Sequence, residues 1–212
     1  MKIYIVLFIS FFILMNVTMV KADLPLQGKV IVVDAGHGGL DPGTIYKDIL
    51  EKDIVLNISK YLRKSLSSLG ATVIMTRDGD NDLSNGVMNH RKKADFDERI
   101  KIINNKYVDM YVSIHLNYLA DSRYYGPQVF YEKNNKELAK YIQDYLNKNL
   151  SGKREVKKIP ASTYMYDKLN NDGVLVECGF LSNEHERNKL ISSKYQREFA
   201  KVLADAISYY YN

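Results

Sequence analysis

Val30, Ile31, Val32 and Val33 form an unbroken β-branched run that breaks at once into Asp34-Ala35-Gly36-His37-Gly38-Gly39. That pattern predicts a short buried strand ending in a glycine loop, the kind of place where α/β proteins hold ligands. Leu40 to Thr44 is a second turn cluster. A helix is predicted from about Glu51, with Val55, Ile58, Leu62, Leu66 and Leu69 on one face and Gly70 ending it. Ala71 to Met75 reads as a strand, so the first unit is strand–helix–strand and implies parallel pairing. Residues 77–95 are polar and predict an exposed loop, with His90 a solvated loop residue. Phe96 to Tyr107 is predicted helical, with Phe96, Ile100, Ile103 and Tyr107 in register, followed by a strand from Val108 to Ile114 that ends in His115-Leu116-Asn117.

Gly126 to Tyr131 predicts another strand, followed by an amphipathic helix with Leu138, Tyr141, Ile142, Tyr145 and Leu146 inward. The basic stretch Ser151 to Lys158 reads as a loop and Ile159 to Tyr166 as extended. Val174 to Phe180 is a strand, apolar except for Glu177. Tyr195 to Tyr210 closes the chain as a helix with Phe199, Val202, Leu203, Ala206 and Ile207 on one face. No repeat, low-complexity linker or appended binding module interrupts this alternation.

The amino terminus does not belong to the pattern. Lys2 precedes an apolar run from Ile3 to about Val20, and Val20 and Ala22 stand at the −3 and −1 positions of a cut before Asp23. This predicts a signal peptide at 1–22, favoured over an uncleaved anchor, and an export route across the cytoplasmic membrane. Residues 23–212 remain as a single domain of about 190 residues. Losing Lys2 and Lys21 and no acid takes the net charge from +5 to +3. That mild surplus suits an anionic polymer such as cell wall, whereas basic–aromatic interleaving for nucleic acid is missing. The single Cys178 excludes an intrachain disulfide and reads as a buried structural thiol. No cysteine follows the apolar run, so a lipid-modified amino-terminal cysteine is excluded as well.

His37, Glu51, His115 and Glu177 all stand at strand ends or a helix start. Taken singly each has an ordinary reading; an acid in the first turn merely complements the helix dipole. Together, two imidazoles and a carboxylate make a common three-ligand set for catalytic zinc. Bound zinc lowers the pKa of water to about 7 and polarises a carbonyl. A second carboxylate off the metal can then move the proton to a leaving amine. The ligands are scattered and no HExxH helix is present, so spacing alone leaves the metal reading open.

Asp34-Ala35-Gly36-His37-Gly38-Gly39, Glu51-Lys52-Asp53, Thr76-Arg77-Asp78, Ser113-Ile114-His115-Leu116-Asn117 and Val176-Glu177-Cys178-Gly179-Phe180-Leu181-Ser182-Asn183 occur in that order. In this the chain resembles the zinc-dependent N-acetylmuramoyl-L-alanine amidases of the Amidase_3 family, from about Val30 to the carboxyl terminus. The resemblance implies His37, Glu51 and His115 as zinc ligands and Glu177 as the catalytic glutamate. It implies cleavage of the amide between the lactyl group of N-acetylmuramic acid and L-alanine of peptidoglycan stem peptides. The implied fold is α/β, a mixed, mostly parallel sheet of about six strands with helices on both faces. The bare catalytic domain, Arg91-Lys92-Lys93-Ala94-Asp95 before Glu98-Arg99, and Glu177-Cys178-Gly179-Phe180 look most like the sporulation branch called CwlD. That branch implies work on spore cortex muramic-δ-lactam, in the cell wall or the forespore intermembrane space, and raises an accessory lipoprotein activator as a partner to test for. Leu116 departs from the small residue of many members and is expected to narrow the cleft. Asn117 either contacts substrate or closes its strand. A zinc peptidase cutting within the stem and a non-catalytic wall-binding protein are the competing readings; membrane contact is expected only through an uncleaved amino-terminal segment.

Overall fold

A computed structural model describes residues 24–211; the signal predicted at 1–22 lies outside the described residues. Strands β1 (Val30–Ala35), β4 (Thr72–Met75), β5 (Met110–Asn117) and β8 (Gly173–Phe180) run parallel. The strand β6 (Gln128–Tyr131) pairs antiparallel with β8, and β7 (Lys157–Lys158) pairs parallel with β6. Across the sheet the order is β4–β1–β5–β8–β6–β7. Helices α1 (Glu51–Ser68), α3 (Lys136–Asn149) and α5 (Ser193–Tyr210) cover one face, and α2 (Arg91–Ile103) lies on the other. A small hairpin, β2 (Ile45–Tyr46) and β3 (Ile49–Leu50), delivers the chain into α1, and a short α4 (Glu184–Leu190) follows β8. The architecture is the mixed, mostly parallel six-strand sheet with helices on both faces that was expected.

Side-chain alternation sorts the central strands into two faces. Ile31, Val33, Met110, Val112, Ile114, Val174 and Val176 enter the larger core under α1, α3 and α5, where Val55, Ile58, Leu62 and Leu66 are fully buried. Each such side chain contributes about 1.5–3 kcal/mol by leaving water. Val32 and Tyr111 point the other way, toward Ile103, Ile159, Met165, Tyr166 and Leu169. On that second face the residues nearest the strands' carboxyl ends change from apolar to polar: Asp34 on β1, Ser113 and His115 on β5, Glu177 on β8. The sheet is therefore a hydrophobic support whose one face turns chemical at one end.

Some local expectations are corrected. The second helix begins at Arg91 and ends at Ile103, so Tyr107 is outside it and exposed. The 77–95 stretch is not uniformly exposed, since Arg77, Ser84 and Asp95 are buried; His90 is exposed as expected. Tyr141 is exposed rather than inward, because Gln143 is the α3 residue drawn to the sheet, accepting from Val129 N at 2.8 Å. Residues 159–166 are not extended: only Lys157–Lys158 pair as a strand, and the chain then turns into a 3₁₀ segment, Tyr166–Lys168. Ile159, Met165 and Tyr166 are pulled into the core there, and burial decides over local propensity.

Candidate metal centre

His37 sits one residue beyond Gly36 in the loop after β1, with φ of 59°, a left-handed conformation uncommon for a residue with a side chain. The loop turns that sharply because neighbouring backbone must come close. A Cβ at residue 36 would lie 2.4 Å from His115 Cε1, so glycine lets the second imidazole lie flat against the loop. The hairpin brings Gly43 to the other side, where a Cβ would stand 2.6 Å from His37 Cδ2.

Glu51, first residue of α1 and buried, reaches between the two imidazoles. Its Oε1 lies 3.1 Å from His37 Nε2 and 3.2 Å from His115 Nδ1, and accepts from Leu116 N at 2.9 Å. Its Oε2 accepts from Thr44 N at 2.8 Å. One ligand atom from each of His37, Glu51 and His115 falls within 4.8 Å of the others. A tetrahedral ion with bonds of about 2.0–2.2 Å spaces its ligands by about 3.3–3.6 Å, so this donor set fits zinc in identity, and the two separations from Glu51, 3.1 and 3.2 Å, lie near that spacing. On the far side of its ring His37 Nδ1 faces Asp41 Oδ2 at 3.0 Å, the carboxylate–imidazole pairing that fixes a ligand ring.

The electrostatics follow. Burial disfavours charge on His37, but hydrogen bonds to Asp41 and Glu51 outweigh it and raise the imidazole pKa to about 9. Burial also works against ionised Glu51, yet the hydrogen bonds from His115 and His37 hold its carboxyl well below the usual range. Glu177 differs. It lies opposite His115 in the β5–β8 ladder, and burial, with the Glu51 charge, pushes its pKa up to about 8. Its Oε2 is buried without a hydrogen-bond partner among the described residues. A carboxyl oxygen shielded beside two imidazoles and a second carboxylate is the kind of perturbed group that marks a candidate site.

The framework beneath was not anticipated from sequence. Buried Arg99 donates to Asp34 Oδ1 at 2.6 Å, Ala35 O at 2.7 Å, His37 O at 2.6 Å and Asp95 Oδ2 at 2.9 Å. Asp34 also accepts from Ser113 Oγ and Thr76 Oγ1; burial works against its charge, but Arg99, Ser113 and His115 together hold its carboxyl below the usual value. Arg77 donates to Ala35 O, Gly36 O and Lys52 O at 3.0, 2.7 and 2.8 Å, joining the His37 loop to the first turn of α1. The signal available was an acid inside an apolar strand and an Asp95–Arg99 pair one helical turn apart.

Leu116 is corrected: alternation sends it into the larger core, 3% exposed, and away from the cleft. Cys178 is likewise buried on that side, and burial pushes its thiol pKa far up, consistent with an inert structural residue. Asn117, half-buried, ends β5 beyond a register shift, its carbonyl accepting from Leu181 N at 2.9 Å. His185 is exposed and apart from the site. A small cavity of about 80 Å³ opens beside the imidazoles, walled by Asp41, Lys92, Phe96, Met165 and Tyr166.

A family model described as N-acetylmuramoyl-L-alanine amidase (Amidase_3) matches residues 31–209. The germination-specific N-acetylmuramoyl-L-alanine amidase of Bacillus subtilis is 39% identical over 195 residues, covering 89% of this chain and 82% of that protein. The CwlD amidase from Clostridioides difficile, solved in complex with the GerS lipoprotein, superposes with a TM-score of 0.79 at 40% identity over 86% of this chain and 98% of that one. The catalytic domain of CwlV, an N-acetylmuramoyl-L-alanine amidase from Bacillus (Paenibacillus) polymyxa, gives a TM-score of 0.74 at 26% identity over 86% and 97%.

Proposed function

Because the chain belongs to the Amidase_3 family of N-acetylmuramoyl-L-alanine amidases, we propose that it is a zinc enzyme cutting the lactyl–L-alanine amide of peptidoglycan. The observation that carries the reading is the convergence of His37, Glu51 and His115, with Glu177 half-buried alongside and its Oε2 shielded from solvent. In this reading those three residues hold the metal. Zinc, when bound, acidifies water and polarises the amide carbonyl.

Glu177 supplies the proton traffic. It takes a proton from the attacking water as the oxygen adds to the lactyl carbonyl carbon. It returns that proton to the L-alanine nitrogen as the C–N bond breaks, leaving a carboxylate on the sugar and a free amine on the peptide. Burial and the Glu51 charge favour the protonated carboxyl, and a cation held beside it would favour the ionised form that accepts the water's proton. Arg99 and Asp41 fix the loop and ring of His37, and the cavity walled by Phe96, Met165 and Tyr166 gives the substrate a place beside the reacting atoms. Asn117, at the same strand end as His115, is assigned a substrate contact.

Residues 1–22 act as an export signal in this reading, and 23–212 as one catalytic domain working in the wall. Likeness to the germination-specific amidase and to CwlD supports a role in spore cortex muramic-δ-lactam formation, and the GerS complex of the latter supports a lipoprotein activator. The test is digestion of peptidoglycan by zinc-loaded protein beside Glu177→Ala, with products weighed by mass spectrometry. Stem peptides with free L-alanine amines, missing from the Glu177→Ala reaction, are expected. Internal stem fragments would assign a peptidase instead, and no product from folded, zinc-loaded protein supplied with the lipoprotein would leave a binding role.

A further inference from the structure

The pairing register sets His115 on β5, Glu177 on β8 and Gln128 on β6 in one row across the sheet. Directly paired residues share a face, so all three side chains stand on the face of the metal centre, with Gln128 beyond Glu177. The row ends on the basic stretch after α3, which no step of the proposed reaction uses. There Arg154 Nη2 donates to Gln128 Oε1 at 3.0 Å, and buried Gln128 is itself fixed by donating to Glu155 O at 2.8 Å. The guanidinium carbon lies 5.1 Å from the centre of the Tyr124 ring and 5.2 Å from that of Phe180. Its Nε is buried with no hydrogen-bond partner among the described residues. Among the same residues no carboxylate pairs with it: Glu186 accepts from Gly126 N, Asp121 is taken by Arg123, and the Glu155 side chain is exposed. A cavity of about 210 Å³ opens at this point, lined by Arg123, Tyr124, Tyr125, Lys153 and Arg154 and by no acid. A guanidinium fixed on two rings and left without an acid is a preorganised receptor for a carboxylate.

We propose that Arg154 binds the carboxylate of the second residue of the stem peptide and so selects stems that are acidic there; the inference rests on the amidase reading. Its direction follows from Glu177. That group hands its proton to the leaving nitrogen, so the peptide departs on the Glu177 side of the metal, toward Gln128. Adjacent strands lie about 4.8 Å apart, which puts Gln128 about 10 Å from His115 along the row. An extended chain advances about 3.4 Å per residue, so a carboxylate on the residue after L-alanine reaches about 7 Å from the reacting nitrogen. The remaining gap is one charge-assisted hydrogen bond of about 2.8 Å.

The test is calorimetric titration of the full-length, zinc-loaded chain with L-alanyl-γ-D-glutamyl-L-lysine amide, its glutamyl α-carboxyl either free or converted to the carboxamide. The free acid should bind roughly 10- to 100-fold more tightly. Arg154→Gln should erase that preference, and Arg154→Lys, which keeps the charge without the planar fork, should reduce it. Comparing two ligands on one variant separates carboxylate recognition from any general loosening of the fold. Equal affinities in the parent chain, binding of neither peptide, or an undiminished preference in either variant would each overturn the proposal. The peptidoglycan digestion decides the amidase reading separately. A parent chain that prefers the acid yet releases no free L-alanine amines would lose that reading and retain the carboxylate site.

Discussion

Between pH 4.5 and about 8 the Glu177 carboxyl is protonated in the folded, zinc-free chain but ionised in the unfolded one, because burial and Glu51 raise its pKa. The folded state thus binds the extra proton, and stability falls as pH rises through that window. Zinc-free Glu177→Gln should therefore melt higher than the parent at pH 8, the two converging near pH 4.5, in thermal melts across pH. His37, whose pKa is also raised on folding, slopes the same way in both proteins. With zinc loaded, the same variant should lose roughly 10²- to 10⁴-fold in kcat while metal analysis finds its zinc content unchanged. Arg99 makes the converse case. Arg99→Met leaves Asp34 and Asp95 without their buried cation and should cost about 3–5 kcal/mol in urea unfolding.

The elements were legible where one period governs a segment. Val55, Ile58, Leu62 and Leu66 announce α1, and the apolar runs of β1, β5 and β8 announce the sheet's centre. His115 and Glu177 were legible too, since each breaks an apolar strand near its end. Partners supplied by other segments were hidden: nothing in Thr76-Arg77-Asp78 says that its guanidinium will hold carbonyls of the His37 loop and of Lys52. The two-residue β7 was also hidden, because Lys157–Lys158 has no apolar alternation to read. Arg77 gives the element-scale prediction. Arg77→Lys cannot serve all those carbonyls, so the loop and α1 should lose their fixed spacing. Zinc affinity should fall about 10- to 100-fold in a chelator competition titration, with a much smaller change in the zinc-free melting temperature.

For the whole molecule, the three proposed ligands come from three segments, so that metal binding and folding would be one equilibrium. Zinc at a thousand times its Kd should add about 4 kcal/mol of stability, read as a raised melting temperature. His37→Ala should abolish that increment. The place of β8 in the sheet carries another consequence. It is the last strand made, yet it lies between β5 and β6 and bears Glu177. Every partial chain that stops short of residue 173 lacks both Glu177, the glutamate proposed to move the proton, and the strand that joins the two parts of the sheet. A wall-cutting activity is thereby kept silent throughout synthesis, and the order of residues serves as a clock that releases it only when the polypeptide is nearly whole.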